Sequence, residues 1–397
     1  MCVGHNREMK RSASGLIGKE GRNMNVGSEK LRIEQVVAFT ADLTLKKVYQ
    51  HSAARLTKFE QVYLKLVAES GIAGYAEVRG NCPYVTHEKR NDILAALKNE
   101  FVPLIKEYNG NSIGHILRVV NDRISSCGAR TLVDVAFHDL VAKSEELPLC
   151  ELLGGMKLAE VPGYCGIPFA DLEETAHMAR RGVEAGFKMF KVRVGLRPVK
   201  RDLERLQIVR EIAPYQDLAV DANQAWSVQE AINNINAMSD YKLAFVEQPI
   251  NRDDIRGLRR VRENVEVPIM ADESLMSVDT LNRLIKEQAV DMLNIKILKA
   301  GGIVNTLQII QKAADNDIPF LLGSMSSGRL DTAATLHVQA SIGSHARYFS
   351  SGGFEDILND PTSGIELKAG KIKVPSSPGL GVDVDEAMLR EEFSIKV

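Results

Sequence analysis

The first third of the chain alternates between apolar and polar positions in several short stretches. Residues 31–42 alternate in a way that predicts a strand, and residues 59–68 and 73–78 predict a hairpin. The segment 43–57 is more polar and predicts a connection. Amphipathic helical patterns then follow near 87–108, 112–124 and 128–145. Strands followed by helices in this way predict a small α+β domain.

From residue 161 onward, short apolar runs alternate with longer amphipathic patterns. The apolar runs predict strands at 161–166, 188–194, 217–221, 243–247, 268–272, 291–297, 318–322 and 347–350. The patterns between them predict helices near 171–185, 199–212, 228–238, 253–264, 278–287, 302–315 and 329–342. Strand positions that recur about every 25 residues, with a helix between them, favour parallel βα units closed into a TIM-type (β/α) barrel.

These patterns divide the chain into four parts. Residues 1–29 are polar, lack the apolar core of a secretory signal, and predict a flexible extension. Residues 30–157 form the α+β domain and residues 158–350 the barrel. We expect residues 351–397 to pack back across the α+β domain.

Composition excludes several classes of function. The chain has 397 residues, of which 45% are hydrophobic and 26% charged, as is ordinary for a globular protein. A net charge of −2 gives no basic excess for nucleic acid, and no apolar run is long enough to span a membrane. The five cysteines are scattered without a C-x-x-C pair, which favours free thiols in a reducing cytoplasm.

Four polar residues recur at one phase of the barrel pattern. Asp221, Glu247, Asp272 and Lys296 are separated by 26, 25 and 24 residues (221 to 247, 247 to 272, 272 to 296), and each ends a strand-like run. One βα unit has about that length, so the four side chains are predicted to meet at the C-terminal rim of the barrel, where active sites lie. The alternative is that the acids cap the helices that follow them.

Three converging carboxylates repel one another and therefore require a cation. Oxygen ligands favour Mg²⁺ (or Mn²⁺), with positions left for water and substrate. A metal held in this way can bind a substrate carboxylate and stabilise the enediolate that forms when the α-proton is removed. Lys296, partly buried near a cation, is expected to have a lowered pKa that suits a general base.

A second group of basic residues ends the second barrel strand. Alternation places Lys191 and Arg193 on one face of this strand, across the predicted barrel mouth from Lys296. Arg193 is a poor base because a guanidinium stays protonated, but it can bind a carboxylate or a developing negative charge. Lys191 can titrate, although it lies one pleat deeper. The alternative is that Lys191 and Arg193 have no role in the site and are either solvated or paired with carboxylates.

These residues resemble the enolase superfamily, in particular its muconate-lactonizing enzyme and mandelate racemase group, over roughly residues 31–385. The resemblance rests on ARTLVDVAFHDLVAKSEELPLCELLGG (129–155), GFKMFKVRVG (186–195), VDANQAW (220–226), VEQPI (246–250), ADES (271–274), NIKILKAGGI (294–303) and PGLGVDVD (378–385). It implies an enolase-like modified barrel with an N-terminal capping domain.

The resemblance also implies roles for individual residues. Asp221, Glu247 and Asp272 become the Mg²⁺ ligands and Lys296 the acid–base catalyst. Asn223 and Gln248 support the ligands, and Asn223 also becomes a candidate for substrate binding. The seventh barrel strand ends in PFLLGS without a histidine, which favours the lysine/lysine type over the mandelate racemase type.

Two departures from the family pattern are visible. Arg193 stands where the family has a second catalytic lysine, which makes racemisation by two lysines doubtful. The segment after PFLL often carries a glutamate but reads GSMSSGRLD here, so Ser326, Ser327 or Arg329 becomes a candidate for polar substrate contacts. Capping-domain loops close over the substrate in the family, and the candidates there are Tyr49, His51, Asn81 and Tyr84.

The residues and the resemblance indicate a class of reaction and leave several outcomes open. We expect a Mg²⁺-dependent enzyme that removes the proton α to a small carboxylate, with racemisation, epimerisation or cycloisomerisation ranked ahead of dehydration of a hydroxy acid. The remaining alternative is a catalytically silent metal-binding barrel, which Arg193 alone supports. The resemblance further implies a homo-oligomer acting on a small molecule such as an amino acid derivative.

Overall fold

The computed structural model describes residues 31–51, 54–325, 327–350 and 353–397. The predicted extension 1–29, Ser326 and the side chain of His51 lie outside this description. Among the described residues, no helix combines the length and the apolar character needed to cross a membrane.

The capping domain begins with an antiparallel sheet of long strands. These are β1 (Ile33–His51), β2 (Ala54–Ala68) and β3 (Ala73–Arg79), and the C-terminal strand Arg390–Lys396 pairs with the outer edge of β1. Helices pack on this sheet: α1 (Pro83–Thr86), α2 (Arg90–Ala96), a π-helical turn (Leu97–Phe101), α3 (Val102–Tyr108), α4 (Ile113–Arg123), α5 (Cys127–Ser144) and α6 (Leu149–Leu152).

The prediction of a connection at residues 43–57 is wrong, because β1 and β2 extend through most of this segment. Their pairing continues to Thr44↔Lys58, is interrupted, and resumes at Tyr49↔Leu56. Leu43 and Leu45 explain the extension: alternation puts both on one face, where they are buried in a small cluster with Phe59 and Ile357. The extended ribbon carries Tyr49 to the mouth of the barrel.

The barrel is built from parallel strands in chain order, and it closes where the last strand pairs with the first. Its strands are β4 (Glu160–Ile167), β5 (Met189–Arg193), β6 (Asp217–Asp221), β7 (Val246–Glu247), β8 (Ile269–Ala271), β9 (Met292–Ile295), β10 (Phe320–Leu322) and β11 (Ala346–Ser350). Its helices are α7 (Leu172–Glu184), α8 (Lys200–Ile212), α9 (Val228–Ala237), α10 (Ile255–Glu263), α11 (Val278–Lys286), α12 (Ile297–Ala300), α13 (Ile303–Asp315) and α14 (Arg329–Ile342).

The floor of the barrel interior is apolar and fixes which side chains point inward. Met189, Ala219, Phe245, Met270 and Leu321, from different strands, form one buried cluster inside the barrel. Successive residues on a strand alternate between faces, so the residue two positions further along also points inward. That step leads from the apolar floor to Lys191, Asp221, Glu247, Asp272 and Gly323, one layer nearer the C-terminal rim.

The chain after the barrel returns to the capping domain. Short strands β12 (Thr362–Ser363) and β15 (Asp383–Val384) pair with each other, whereas β13 (Leu367–Lys368) and β14 (Lys371–Lys373) form a hairpin beside β4. The final strand, β16 (Arg390–Lys396), then pairs with β1. This return ties the ribbon that carries Tyr49 to the C-terminal segment through a bridge between Leu45 and Ile357.

Candidate active site

Two of the three acids of the sequence pattern contact one lysine, and the third, Asp272, lies nearby. The Nζ of Lys191 lies 2.9 Å from Asp221 Oδ2 and 2.8 Å from Glu247 Oε1, and all three side chains are almost fully buried. Burial acts to lower the pKa of Lys191, but the carboxylates of Asp221 and Glu247 raise it well above its ordinary value. The lysine is therefore a fixed positive charge inside a ring of acids.

Glu247 is the most costly of the three acids to ionise. Burial is the main cause that raises its pKa to about 8, and the nearby carboxylates of Asp221 and Asp272 add to the effect of burial, whereas Lys191 opposes it. Its Oε1 also accepts a hydrogen bond from Asn294 Nδ2 at 3.0 Å. Its Oε2 is buried without a hydrogen-bond partner among the described residues.

Asp272 is held by two lysines from the end of β9. Lys296 Nζ lies 2.7 Å from Asp272 Oδ2, and Lys299 Nζ lies 2.5 Å from Asp272 Oδ1 and 3.0 Å from the Asn294 carbonyl oxygen. Burial acts to raise the pKa of Asp272, but the two ammonium groups hold it well below its ordinary value.

Asp272 has the opposite effect on Lys296. Burial acts to lower the pKa of Lys296, yet the carboxylates of Asp272 and Glu247 raise it above its ordinary value. The expectation that the pKa of Lys296 is lowered does not hold in this arrangement, because Lys296 contacts a carboxylate rather than a cation.

Gln248 and Asn223 shape the loops that follow the acidic strands. Gln248 Oε1 accepts hydrogen bonds from the backbone N–H groups of Asp272 and Ser274, both at 3.0 Å, and so fixes the start of the next loop. Asn223 donates from Nδ2 to Glu273 at 3.3 Å, and its own N–H donates to Asp221 Oδ1 at 2.9 Å. Gln248 and Asn223 therefore hold acidic residues in place.

The acidic layer contains the type of donor that binds magnesium. Asp221, Glu247 and Asp272 offer the hard oxygen ligands that Mg²⁺ prefers, and the unpartnered Oε2 of Glu247 is a buried acceptor that a cation satisfies. As the side chains stand, no three His, Cys, Asp or Glu groups in the described part of the chain are arranged to hold a metal. The three carboxylates therefore fit Mg²⁺ by their donor chemistry. In the present arrangement, Lys191 lies among them and supplies the positive charge.

Across the barrel mouth, Arg193 meets two residues of the capping domain. Its Cζ lies 5.2 Å from the centroid of the Tyr49 ring, and the Cζ of Arg79 lies 5.1 Å from the same centroid. Arg79 is fully buried and donates to the Tyr84 hydroxyl at 2.7 Å and to the Met325 carbonyl oxygen at 2.9 Å. Tyr84 and Arg193 thus belong to one aromatic and cationic cluster above the acids.

Ser327 lies apart from this cluster, at the start of α14. It is buried close to Asp331, whose pKa is raised by burial to about 7, with the nearby Lys296 opposing part of this rise. Glu77 of β3 accepts a hydrogen bond at 3.0 Å from the Asp331 N–H. Ser327 therefore belongs to a buried acidic junction between the capping domain and the barrel.

A cavity of about 470 Å³ leads to the Arg193 side of the barrel mouth. Its inner wall includes Tyr49, Tyr164, Lys191, Arg193 and Asp221. Its outer wall is formed by Leu45, Lys46, Lys47, Val48, Arg181, Glu355 and Asp356, among others. The volume is that of a small-molecule site.

Several residues of the site were missed by sequence reasoning. Lys299 lies three positions after Lys296, and a short apolar segment between them gave no sign that both reach Asp272. Arg79 is the last residue of β3, and no pattern in the sequence relates it to the barrel mouth. Neither residue recurs at a regular sequence spacing. Arg79 is positioned by contacts between the two domains, and Lys299 is positioned by the turn after β9.

Comparison with known proteins gives two family matches. Residues 174–388 match the family described as "Enolase C-terminal domain-like", and residues 34–154 match "Mandelate racemase / muconate lactonizing enzyme, N-terminal domain". The first match alone spans more than half of the chain.

The alignments with individual relatives extend over nearly the whole length of each relative. The chain is 30% identical over 369 residues to a chloromuconate cycloisomerase of Pseudomonas sp. (strain P51), covering 91% of this chain and 98% of the relative. It is 27% identical over 365 residues to the N-succinyl-L-Arg/Lys racemase of Bacillus cereus, covering 91% and 98%. The solved dipeptide epimerase of Cytophaga hutchinsonii, complexed with Mg and the dipeptide D-Ala-L-Val, is 28% identical, with a TM-score of 0.84 over 92% of this chain and 100% of that one.

Proposed function

This chain belongs to the mandelate racemase and muconate lactonizing enzyme group of the enolase superfamily, and we propose that it is an isomerase that removes and returns the proton α to a carboxylate. The observation that carries the proposal is the convergence of Asp221, Glu247 and Asp272 on one layer of the barrel, with Lys296 at the rim above them. Racemisation or epimerisation of an amino acid derivative, or cycloisomerisation, is the outcome that best fits this group of relatives.

Lys296 is the proton-transfer group in this proposal. Its side chain is largely buried yet reaches the rim, and Asp272 fixes its ammonium at 2.7 Å. Its stem packs against Gly323, where a side chain would collide with Lys296 Cε at 2.8 Å. A magnesium ion at Asp272 would weaken the pairing of Asp272 with Lys296 and favour the neutral amine, which could then accept a proton from one face of a bound substrate and return it.

Lys191 and Arg193 provide the fixed positive charges. Arg193 has its pKa raised further by Tyr49 and Asp221 although burial opposes this, so it remains a cation throughout. We propose that Asp221, Glu247 and Asp272 hold a magnesium ion, which when bound supplies Lewis-acid stabilisation of the carboxylate. Arg193 then orients the substrate by a charge-assisted hydrogen bond.

The substrate class follows from the cavity. The cavity wall has five basic side chains and three acidic ones; the basic ones are Lys46, Lys47, Arg181, Lys191 and Arg193, and the acidic ones are Glu355, Asp356 and Asp221. A carboxylate with a second polar or anionic group therefore matches this wall better than a cationic or purely apolar molecule. N-acylated amino acids and dipeptides meet this description, as do unsaturated diacids.

The test is exchange of the α-hydrogen in D₂O with Mg²⁺. Substrate candidates are both enantiomers of N-succinyl-arginine and N-succinyl-lysine and both epimers of Ala-Val at the alanine, with a chloromuconate assayed for lactone formation. Wild-type enzyme is expected to incorporate deuterium into one of the α-hydrogen substrates or to form the lactone, and Lys296→Ala is expected to lose about 100-fold or more of that rate.

The outcomes separate the candidate reactions. Deuterium together with the opposite epimer identifies an epimerase, whereas release of a 2-keto acid from an added hydroxy acid identifies a dehydratase. If Lys296→Ala exchanges as fast as the wild type, Lys296 is not the proton-transfer group. If wild type reacts with none of the carboxylates although calorimetry shows that Mg²⁺ binds, the catalytic proposal fails.

A further inference from the structure

An enzyme that inverts a carbon needs a proton-handling group on each of its faces. Lys296, at the end of β9, serves one face. Arg193 ends β5, which is four strands from β9 in a closed barrel of eight parallel strands, so Arg193 lies half-way around the rim. A guanidinium does not give up its proton near neutral pH, which leaves the second face without an obvious acid or base.

The residue that meets Arg193 at this point is Tyr49. The capping-domain ribbon places its ring 5.2 Å from Arg193 Cζ and 5.1 Å from Arg79 Cζ, and the ring packs edge-on against Phe59 at 5.6 Å between centroids. Tyr49 also lines the cavity together with Lys191, Arg193 and Asp221. Its position is thus fixed by two cations and an aromatic ring at the entrance to the acidic layer.

Charges from several elements act on the Tyr49 hydroxyl. Burial acts to raise its pKa, but Arg193 on β5, Arg79 on β3 and Lys296 after β9 together lower it below its ordinary value. A phenol usually loses its proton only near pH 10. Two flanking guanidinium groups favour the phenolate, so the hydroxyl can lose and regain its proton at a pH nearer neutral.

We propose, resting on the function proposed above, that Tyr49 is the second proton donor and acceptor, acting on the substrate face opposite Lys296. Arg193 then has a positioning role toward Tyr49, in addition to its contact with the substrate carboxylate. The ribbon over 43–51 brings an acid–base group to the site from the capping domain.

The proton balance of the step is closed. In one direction the amine of Lys296 takes the α-proton, so the C–H bond breaks and its electron pair delocalises into the carboxylate. The hydroxyl of Tyr49 then gives its proton to the other face of the same carbon, which forms the new C–H bond and leaves a phenolate. In the reverse direction the phenolate takes the proton and the ammonium of Lys296 donates it.

The test compares wild type with Tyr49→Phe, which removes only the hydroxyl, using the N-succinyl-arginine, N-succinyl-lysine and Ala-Val epimers in D₂O with Mg²⁺. Inversion is expected to fall by about 100-fold or more. Exchange with retention, measured on the epimer whose α-hydrogen faces Lys296, is expected to stay within a few-fold of wild type. Inversion at an unchanged rate overturns the proposal, as does wild-type exchange that is confined to one epimer.

A matched control is Tyr75→Phe on the same sheet. The Tyr75 hydroxyl donates to Glu386 of the C-terminal segment, and neither residue lines the cavity. This variant is expected to leave both inversion and exchange unchanged. A loss in both Tyr→Phe variants would indicate general damage to the capping sheet and would count against a specific role for Tyr49.

A second measurement does not depend on finding a substrate. Ultraviolet titration of the whole protein reports phenolate formation, and subtraction of the Tyr49→Phe titration isolates one tyrosine of nine. The difference is expected to show a phenolate forming below the ordinary tyrosine range, and to move upward in Arg193→Met. A Tyr49 that titrates at or above the ordinary range overturns the proposal. Wild type that exchanges no α-hydrogen substrate and forms no lactone counts against the proposed function instead.

Discussion

Lys191 and Glu247 form a buried ion pair, with Nζ 2.8 Å from Oε1, and the same ammonium lies 2.9 Å from Asp221. The pair lies in the middle of the acidic layer, where the donors that fit magnesium converge. A lysine in this position neutralises acids that otherwise repel one another, and a divalent ion would do the same. The two cations therefore stabilise the same buried carboxylates.

Replacing Lys191 by Met is expected to make the fold depend on magnesium. Without the ammonium, Asp221 and Glu247 remain buried and unpaired, which costs about 3–5 kcal/mol in a typical buried pair. Added Mg²⁺ is expected to recover a large part of that loss, whereas wild type gains less. Urea unfolding at increasing Mg²⁺ concentrations measures both effects.

Lys143→Met is the control for this prediction. Lys143 lies 2.7 Å from the buried Asp139 in the capping domain, so its loss also leaves a buried acid unpaired. This variant is expected to lose stability that Mg²⁺ does not restore. An equal response to Mg²⁺ in both variants would show that the recovery is not specific to the acidic layer.

Lys299→Met is expected to destabilise the barrel strongly. Lys299 is buried and its Nζ contacts both Asp272 Oδ1 at 2.5 Å and the Asn294 carbonyl oxygen at 3.0 Å. Because Lys296 still pairs with Asp272, the loss of these buried hydrogen bonds should lower the free energy of unfolding by about 1–3 kcal/mol. Lys368→Met removes an equally short but solvent-exposed contact to Glu366 and should leave the free energy of unfolding nearly unchanged. Similar losses in the two variants, measured by chemical denaturation, would contradict the argument.

The family and the barrel fold are confirmed predictions, and the reason lies in spacing. Asp221, Glu247, Asp272 and Lys296 recur once per βα unit, and parallel strands bring equal phases to one rim. Such a pattern depends only on positions along the chain, so a single sequence contains it. The roles of these four residues stay predictions that the experiments above address.

The contacts between the domains could not be predicted in the same way. Residues 43–57 contain enough polar positions to indicate a loop, but burial of Leu43 and Leu45 against Ile357 extends β1 through most of this segment. Ile357 is more than 300 positions away in the sequence. The position of Tyr49 beside Arg193 depends on this tertiary packing, which outweighs the local pattern.

Asp331→Asn is expected to change how stability depends on pH. Burial raises the pKa of Asp331 to about 7 from an ordinary value near 4. The folded state therefore keeps a proton that the unfolded chain has lost between these values, so stability from this group is complete below about pH 4 and falls as pH rises to 7. Asparagine carries no such penalty and can still accept hydrogen bonds.

Asp331→Asn should accordingly be more stable than wild type at pH 8 and lose that advantage at pH 4. Neighbouring Glu77 adds to the effect, because its own pKa is raised by burial and by the charges of Asp360 and Asp331. Thermal unfolding of both proteins across this range measures the difference. An advantage that is the same at every pH would show that Asp331 does not titrate in this window.

Gly323→Ala is expected to reduce activity while the fold persists. The residue follows β10, and a Cβ there would lie 2.2 Å from Asn294 Oδ1 and 2.8 Å from Lys296 Cε. Asn294 donates to Glu247 at 3.0 Å, so its displacement disturbs an acid as well as Lys296, the residue proposed for proton transfer.

Overpacking of this kind typically costs about 1–3 kcal/mol of stability, whereas a displacement of about 1 Å at a reacting group costs about 100-fold in rate. Exchange in D₂O, set beside urea unfolding of the same variant, distinguishes the two effects. Wild-type exchange rates in Gly323→Ala would mean that Lys296 does not need this space, and the role assigned to its fixed position would then be wrong.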